Sequence, residues 1–320
     1  MRVFRNFSEI TKQLNAVITI GTFDGIHVGH LDILSRMKEI ANERNLESMV
    51  ITFEPHPRYV LAKNFNIKLL TVLSEKIAVI EENGIDNLLI IPFNKELASL
   101  TAKEFIDKLK DSNINIEHIV IGYDHRFGKD RSGDENEVRK LGEINSFTVT
   151  KVEAVKINGD EISSTKIRKA LLNGDIEFAN KYLGKKYYFK GKVVEGNKRG
   201  RLLGFPTANI RPFENEKLIP KKGVYFVKCY LKDETYFSVT NIGVRPTFEE
   251  VDGFMSADKF RIEAHLFNFN RDIYGQEIKV EFLERLRDEI KFESPDLLIK
   301  QIENDFEKGL KLSEKYGKNN

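Results

Sequence analysis

The order of apolar and polar positions divides this chain into two textures. From residue 1 to about 183, short apolar runs alternate with stretches of helical period. Ala16-Val17-Ile18-Thr19-Ile20, Val50-Ile51-Thr52-Phe53, Leu88-Leu89-Ile90-Ile91, Ile119-Val120-Ile121 and Phe147-Thr148-Val149 have the length and side-chain character of strands. Helical spacing appears between them at Leu31, Ile33, Leu34, Met37 and Ile40, at Ile77, Ile80 and Glu81, and at Ala102, Phe105, Ile106 and Leu109. Strands alternating with helices predict an α/β domain of Rossmann type, a mostly parallel sheet covered on both faces. Right-handed crossovers then carry the loops that leave the strand C-termini to one edge. Past Leu183-Gly184 the period changes to two, in Tyr188-Phe189-Lys190-Gly191-Lys192-Val193-Val194, in Val224-Tyr225-Phe226-Val227-Lys228-Cys229-Tyr230 and in Tyr236-Phe237-Ser238-Val239. Turn residues such as Lys232-Asp233-Glu234 separate these runs, which predicts antiparallel strands in a compact β-barrel. Helical period returns at Leu297, Leu298, Gln301, Ile302, Asp305 and Phe306, behind Ser294-Pro295, an N-cap followed by a first-turn proline. The expected division is one domain over 1–183 and a second over 184–320.

Composition narrows the classes. A chain of 320 residues can bury two cores. With 51 basic against 49 acidic residues the formal charge is +2, which gives no reason to expect a nucleic-acid partner. The single Cys229 excludes an intramolecular disulfide and fits a reducing compartment. No apolar run approaches the roughly 18 residues of a membrane span, and Met1-Arg2-Val3-Phe4-Arg5-Asn6-Phe7 lacks the apolar core of a signal peptide. The expectation is a soluble cytoplasmic protein with no membrane partner.

The candidate chemistry begins at Gly21-Thr22-Phe23-Asp24-Gly25-Ile26-His27-Val28-Gly29-His30, between an apolar strand and a helix. A buried strand that ends in glycines and opens a helix presents bare N–H groups and a positive helix end to a phosphate. Glycines at 21, 25 and 29 allow close approach and positive φ. His27 and His30, on the first turn, add donors where a phosphoryl group gains charge. Asp24 would fix the loop or orient a histidine. Phe53-Glu54-Pro55-His56-Pro57 follows the second strand as a rigid, exposed turn that could present His56. Gly122-Tyr123-Asp124-His125-Arg126-Phe127-Gly128 leaves another strand with polar, aromatic and cationic groups. In Ile162-Ser163-Ser164-Thr165-Lys166-Ile167-Arg168, hydroxyls open a helix and Arg168 follows one turn later, a combination suited to a polyphosphate.

The barrel region carries Gly196-Asn197-Lys198-Arg199-Gly200-Arg201-Leu202-Leu203-Gly204-Phe205-Pro206-Thr207-Ala208-Asn209. Glycines among basic residues suit a flap over phosphates. Thr207 and Asn209 alternate, so their side chains share one face and offer hard oxygens to a Mg²⁺ that keeps most of its shell as water and ATP oxygens.

Both motif sets resemble the bifunctional bacterial FAD synthetase (riboflavin kinase/FMN adenylyltransferase) family, the first over residues 16 to about 175 and the second over about 187 to 308. The resemblance extends to Asn241-Ile242-Gly243-Val244-Arg245-Pro246-Thr247, to Ile262-Glu263-Ala264-His265-Leu266-Phe267 and to Phe282-Leu283-Glu284-Arg285-Leu286-Arg287. It implies that FMN attacks the α-phosphorus of Mg-ATP, giving FAD and pyrophosphate, with His27 and His30 on the transferring group. Gly21, Phe23, Asp24, Gly29, Ser163, Ser164, Thr165 and Arg168 would then hold ATP or pyrophosphate, and Pro55, His56, Pro57 and Asp124 the flavin. In the second half it implies riboflavin kinase. Glu263 would be the base, Thr207 and Asn209 the Mg²⁺ ligands, and Gly196, Gly200, Arg201, Gly204 and Arg287 the contacts to ATP or flavin. In many relatives the residue matching His125 is aromatic or amide, and the role of His125 stays open. Two other readings remain at this point: a different nucleotidyltransferase with an unrelated β-domain, and a flavin-binding regulator without catalysis. Riboflavin, FMN, FAD and ATP are the expected ligands, and the oligomeric state is left open.

Overall fold

Six strands build the first sheet: β1 (Arg2–Phe4), β2 (Leu14–Ile20), β3 (Glu47–Glu54), β4 (Asn87–Pro92), β5 (Ile114–Gly122) and β6 (Thr148–Val152). All neighbours are parallel, in the order β1-β4-β3-β2-β5-β6. In this computed structural model, residues 1–61, 67–157, 159–196, 204–244 and 260–317 are described, with Arg131 as backbone only. The helices of this half are α1 (Val28–Glu43), α2 (Pro57–Leu61), α3 (Leu73–Glu82), α4 (Lys95–Ser99), α5 (Ala102–Lys110) and α6 (Glu135–Asn145).

The strands read as unbroken apolar runs because both faces are buried. Ile18 and Ile20 of β2, Met49 and Ile51 of β3, and Leu89 and Ile91 of β4 pack against Phe105, Ile106 and Leu109 of α5 and Val138 and Leu141 of α6. Their alternates Val17, Val50, Leu88 and Ile90 face Leu34, Met37 and Ile40 of α1 and Val79 and Ile80 of α3. The chain runs outward from β2 through β3 to β4, then returns to place β5 on the other side of β2. The strand order therefore reverses between β2 and β5. Ligands of open α/β sheets bind outside the strand C-termini at such a switch point. The loops leaving β2 and β5 are those that carry the histidines and Asp124.

A short hairpin, β7 (Lys156–Ile157) and β8 (Asp160–Glu161), leads to α7 (Ser164–Asn173) and α8 (Ile176–Leu183). The remaining strands are β9 (Tyr188–Val194), β10 (Ala208–Pro212), β11 (Gly223–Leu231), β12 (Glu234–Val244), β13 (Phe260–Leu266) and β14 (Glu277–Arg287). They close an antiparallel barrel in the order β10-β13-β12-β11-β14-β9. The period of two is visible in β9, where Phe189, Gly191 and Val193 are buried while Lys190 and Lys192 are exposed. The C-terminal helix Pro295–Gly317 starts where expected, with Ser294 Oγ accepting from Leu297 N at 3.4 Å. Its Phe306, Leu312 and Tyr316 pack with Phe226, Phe267 and Leu283 of the barrel region. The chain divides into two compact units, residues Met1–Ile67 with Thr71–Ser164, and Lys68–Leu70 with Thr165–Asn320. The expected fold class is present in both halves.

Candidate active sites

In the first unit, β2 ends at Ile20 and the chain turns through residues 21–27 before α1 begins. Backbone φ is positive at Phe23 (48°), Gly25 (95°) and Ile26 (38°). Gly25 is the only glycine of the three in this loop to use a positive φ. Gly21 serves by leaving room, since a Cβ there would lie 3.1 Å from the Phe23 ring. Gly29 sits inside α1, where a Cβ would make only ordinary contact with His27.

His27 is the N-cap of α1, its Nδ1 accepting from His30 N at 3.3 Å. The two imidazoles stack, with centroids 3.8 Å apart and planes 12° from parallel, and the Phe23 ring lies 5.2 Å from that of His30. Burial holds the His27 pKa down to about 4, against the pull of Asp124 and Asp24. Burial, His27 and Lys76 hold His30 well below the ordinary value. Both rings are thus neutral at neutral pH. With Nδ1 of His27 already an acceptor, its proton is assigned to Nε2. Nδ1 of His30 is enclosed and has no hydrogen-bond partner among the described residues.

Asp24 is buried, and its Oδ1 accepts from Thr71 N at 3.0 Å. It fixes the chain at Thr71 in addition to its own loop. The Asp24 carbonyl accepts from Ser164 Oγ at 2.8 Å, which brings the first helical hydroxyl of α7 to the loop. Ser163 is half-buried just before that helix. Thr165 and Arg168 belong to the second unit. Thr165 is exposed, while Arg168 is buried with its Nε donating to Lys68 O at 2.9 Å.

The turn after β3 departs from expectation. His56 is buried rather than presented: its Nδ1 accepts from Arg58 N at 3.2 Å and its ring meets Tyr59 edge-on at 6.3 Å. The imidazole is drawn inward because it satisfies an amide at the start of α2, which Pro57 opens. Pro55 is exposed, as is Asp124 beyond β5. His125 lies beside Phe127 at 5.5 Å, and its Nε2 is the second enclosed atom with no partner among the described residues.

Lys76 was not among the expected site residues. Its Nζ donates to Thr22 O at 2.8 Å and to Thr52 Oγ1 at 3.2 Å beneath the loop. The signal available in the sequence was a lysine one turn before Ile80 on the apolar stripe of an amphipathic helix.

The second site lies on the barrel wall. Asn209 of β10 and Asn241 of β12 both pair with Glu263 of β13, so the three side chains share one face across three strands. Glu263 Oε1 accepts from Arg261 Nη2 at 2.9 Å. The Asn209 amide lies over Gly196, where a Cβ would come within 2.1 Å of Asn209 Nδ2. Thr207 lines a cavity of about 80 Å³ with Pro206, Ala208, Phe269, Asp272 and Tyr274. His265 Nδ1 donates to Pro206 O at 2.7 Å, and its ring meets Phe205 and Phe306 edge-on. Asn241 and His265 stand in the sequence only as parts of motifs; their place beside Glu263 follows from strand register. Gly204 takes a φ of 83°, and Gly200, Arg201, Arg245, Pro246 and Thr247 lie outside the described residues. Arg287 is turned to the C-terminal helix, its Nε and Nη2 clamping Asp305 at 2.9 and 2.7 Å.

A histidine-capped helix start at the switch point of a parallel sheet, where open α/β folds have their ligand crevice, together with a barrel wall holding a carboxylate among amide and hydroxyl oxygens, defines an ATP-using transferase with two sites. Profile comparison gives each half its own match. The FAD synthetase family matches residues 9–166 and the riboflavin kinase family residues 183–312. The chain is 40% identical over 306 residues to the bifunctional riboflavin kinase/FMN adenylyltransferase of Bacillus subtilis, covering 94% of this chain and 93% of that protein. The Escherichia coli K12 protein of the same name is 35% identical over 308 residues, with coverage of 95% and 96%. A crystal structure from Streptococcus pneumoniae described as a macrolide-efflux protein shares the architecture, with a TM-score of 0.85, 32% identity and coverage of 95% and 97%. Among the described residues, no helix is long and apolar enough to cross a membrane. The chain belongs to the bifunctional riboflavin kinase/FMN adenylyltransferase family.

Proposed function

We propose that the histidine-capped crevice carries adenylyl transfer and the barrel wall carries the kinase step, on domains 1–183 and 184–320. The enzyme converts riboflavin to FMN and FMN to FAD, with ATP as co-substrate in both steps. The observation that carries the first assignment is the stacked, neutral histidine pair with an unpartnered Nδ1 at the switch point. A phosphate oxygen of FMN attacks the α-phosphorus of ATP; the bond to the β-phosphate oxygen breaks and pyrophosphate leaves. His27 and His30 donate to the oxygens that gain charge, in a crevice where water competes poorly. A neutral ring is the right form here, since it donates without having to be discharged. Ser163, Ser164, Thr165 and Arg168 support the pyrophosphate, the loop residues Gly21, Phe23, Asp24 and Gly29 shape the ATP site, and Pro55, His56, Pro57 and Asp124 border the flavin.

On the barrel, the Glu263 carboxylate takes the proton of the terminal ribityl hydroxyl as that oxygen attacks the γ-phosphorus and ADP departs. The donor set fits Mg²⁺: a hydroxyl at Thr207 and an amide oxygen at Asn209, the latter over a glycine and in register with the carboxylate. When bound, the ion would neutralise charge gathering on the phosphates. Gly196, Gly200, Arg201 and Gly204 are the glycine and arginine contacts to ATP or flavin in this reading. Arg287 acts by holding the C-terminal helix beside the flavin site. The near-balance of 51 basic and 49 acidic residues and the single cysteine support the reading of a cytoplasmic enzyme that uses no nucleic acid.

Separation by mutation tests the assignment. His27→Ala/His30→Ala should still phosphorylate riboflavin and stop at FMN. Each lost donor is worth on the order of 2.7–4 kcal/mol, by analogy with an oxyanion-hole donor. Glu263→Gln should fail to phosphorylate riboflavin yet adenylylate supplied FMN. Chromatographic resolution of the flavins reads both. FAD formation at the normal rate in the double histidine variant would sink the first assignment, and normal kinase activity in Glu263→Gln the second.

A further inference from the structure

Lys76 enters neither step described above, yet it is a buried ammonium under the phosphate loop. It belongs to α3 and is 5% exposed. Its Nζ, Thr52 Oγ1 and the Thr22 carbonyl form a closed triangle: the ammonium donates to both oxygens, and the hydroxyl donates to the same carbonyl at 3.4 Å. That carbonyl belongs to the peptide leading into Phe23, an aromatic residue with φ of 48°. Bulky side chains rarely adopt this conformation, and it persists only where the surroundings impose it. The Phe23 ring in turn lies against His30, which stacks on His27. A line of direct contacts therefore runs from the ammonium to the two imidazoles.

The charge matters as well as the hydrogen bonds. Lys76 faces Asp24 of the loop and Glu54 at the end of β3, which oppose the lowering of its pKa by burial. The histidine pair faces Asp24, Asp124 from the loop after β5, and Lys76 from α3. A cation at this place resists protonation of His30.

We propose that Lys76 is a positioning residue for adenylyl transfer, anchoring the Thr22 carbonyl so that the Phe23 turn and the His27–His30 stack keep their geometry. This rests on the crevice being the adenylyltransferase site. Lys76→Met keeps the length and apolar stem of the side chain and removes the ammonium. The kcat for FAD formation should fall at least tenfold with the KM for FMN within twofold, while riboflavin phosphorylation by the same chain is unchanged. The acid limb of the adenylylation rate should move to higher pH, because His30 protonates more readily without a neighbouring cation. Lys76→Arg should recover most of the rate. Thr52→Val combined with Lys76→Met should lose no more than Lys76→Met alone, since both act on one carbonyl.

A normal kcat in Lys76→Met overturns the proposal. So does a loss of kcat with an unmoved acid limb and no recovery by arginine, which would confine Lys76 to folding. Should Lys76→Met fail to fold, Thr52→Val alone must lower kcat without altering the KM for FMN, and a normal rate there also overturns it. An effect of Lys76→Met on the KM for FMN alone would move the residue to flavin binding and is equally fatal. Failure of the crevice assignment is recognised separately, by normal FAD formation in His27→Ala/His30→Ala.

Discussion

His27, His118 and His125 are all held by burial to a pKa of about 4, whereas an unfolded chain titrates its histidines near 6.5. Between those values the unfolded chain binds protons that the folded chain refuses. Stability is therefore complete above about pH 6.5 and is lost as the pH falls towards 4. His27 and His125 can each contribute up to about 3 kcal/mol to that loss, and the less enclosed His118 a smaller share. His118 is the best probe, since it lies in β5 outside the crevice with both ring nitrogens bonded to Thr148 and Thr150. His118→Gln should flatten the fall in urea midpoint between pH 7 and 5 relative to the parent chain; an equally steep fall would mean that other groups govern acid stability. At this scale the sequence was least legible. Lys76 is one of 51 basic residues, and its importance comes from a carbonyl 54 positions away that no local pattern announces. His56 was expected on the surface and is buried, with Nδ1 accepting from the Arg58 amide and the ring against Tyr59.

Elements were far more legible, and the exceptions have a common cause. Strands buried on both faces announced themselves as β2 to β5, and the alternation of β9, β11 and β12 announced a barrel wall. Strand β1 did not, because three residues carry too little period; its place at the sheet edge is set by pairing with Asn87 to Leu89. Strand β10 was legible only as the alternation of Thr207 and Asn209; its register on Glu263 is a property of the partner strands. The C-terminal helix was legible by period, but its fastening was not. Asp305 is buried at 2% exposure and takes the Arg287 fork and Gln301 Nε2 at 2.9 Å. Removing one member of a buried pair strands the other charge, at about 3–5 kcal/mol. Arg287→Ala should therefore lower the unfolding free energy of the barrel by that amount, read as a lower denaturant midpoint, with kinase activity falling in parallel and FAD formation from supplied FMN retained. An unchanged midpoint would show that the clamp is solvated in solution.

For the whole molecule, two chemistries reside on two folds of different closure. The parallel sheet is complete once β6 has been reached at Val152. The barrel has no such early stopping point, because β9 must find β14, whose residues Glu277–Arg287 come some ninety positions later. Contacts so distant in sequence are slow to form, and each strand that waits has unpaired edges. Emergence from the ribosome thus imposes an order in time: the sheet of the first unit can assemble on a growing chain while β9 to β12 have no closing partner. Chains halted at residue 276 should show slow amide exchange in β2 to β5 and fast exchange in β9 and β11, and only addition of β14 should protect the latter. Protection of β9 without β14 would contradict that order. A chain whose synthesis is cut short before Glu277 would accordingly carry open strand edges throughout its second half, the state most prone to pair with another chain.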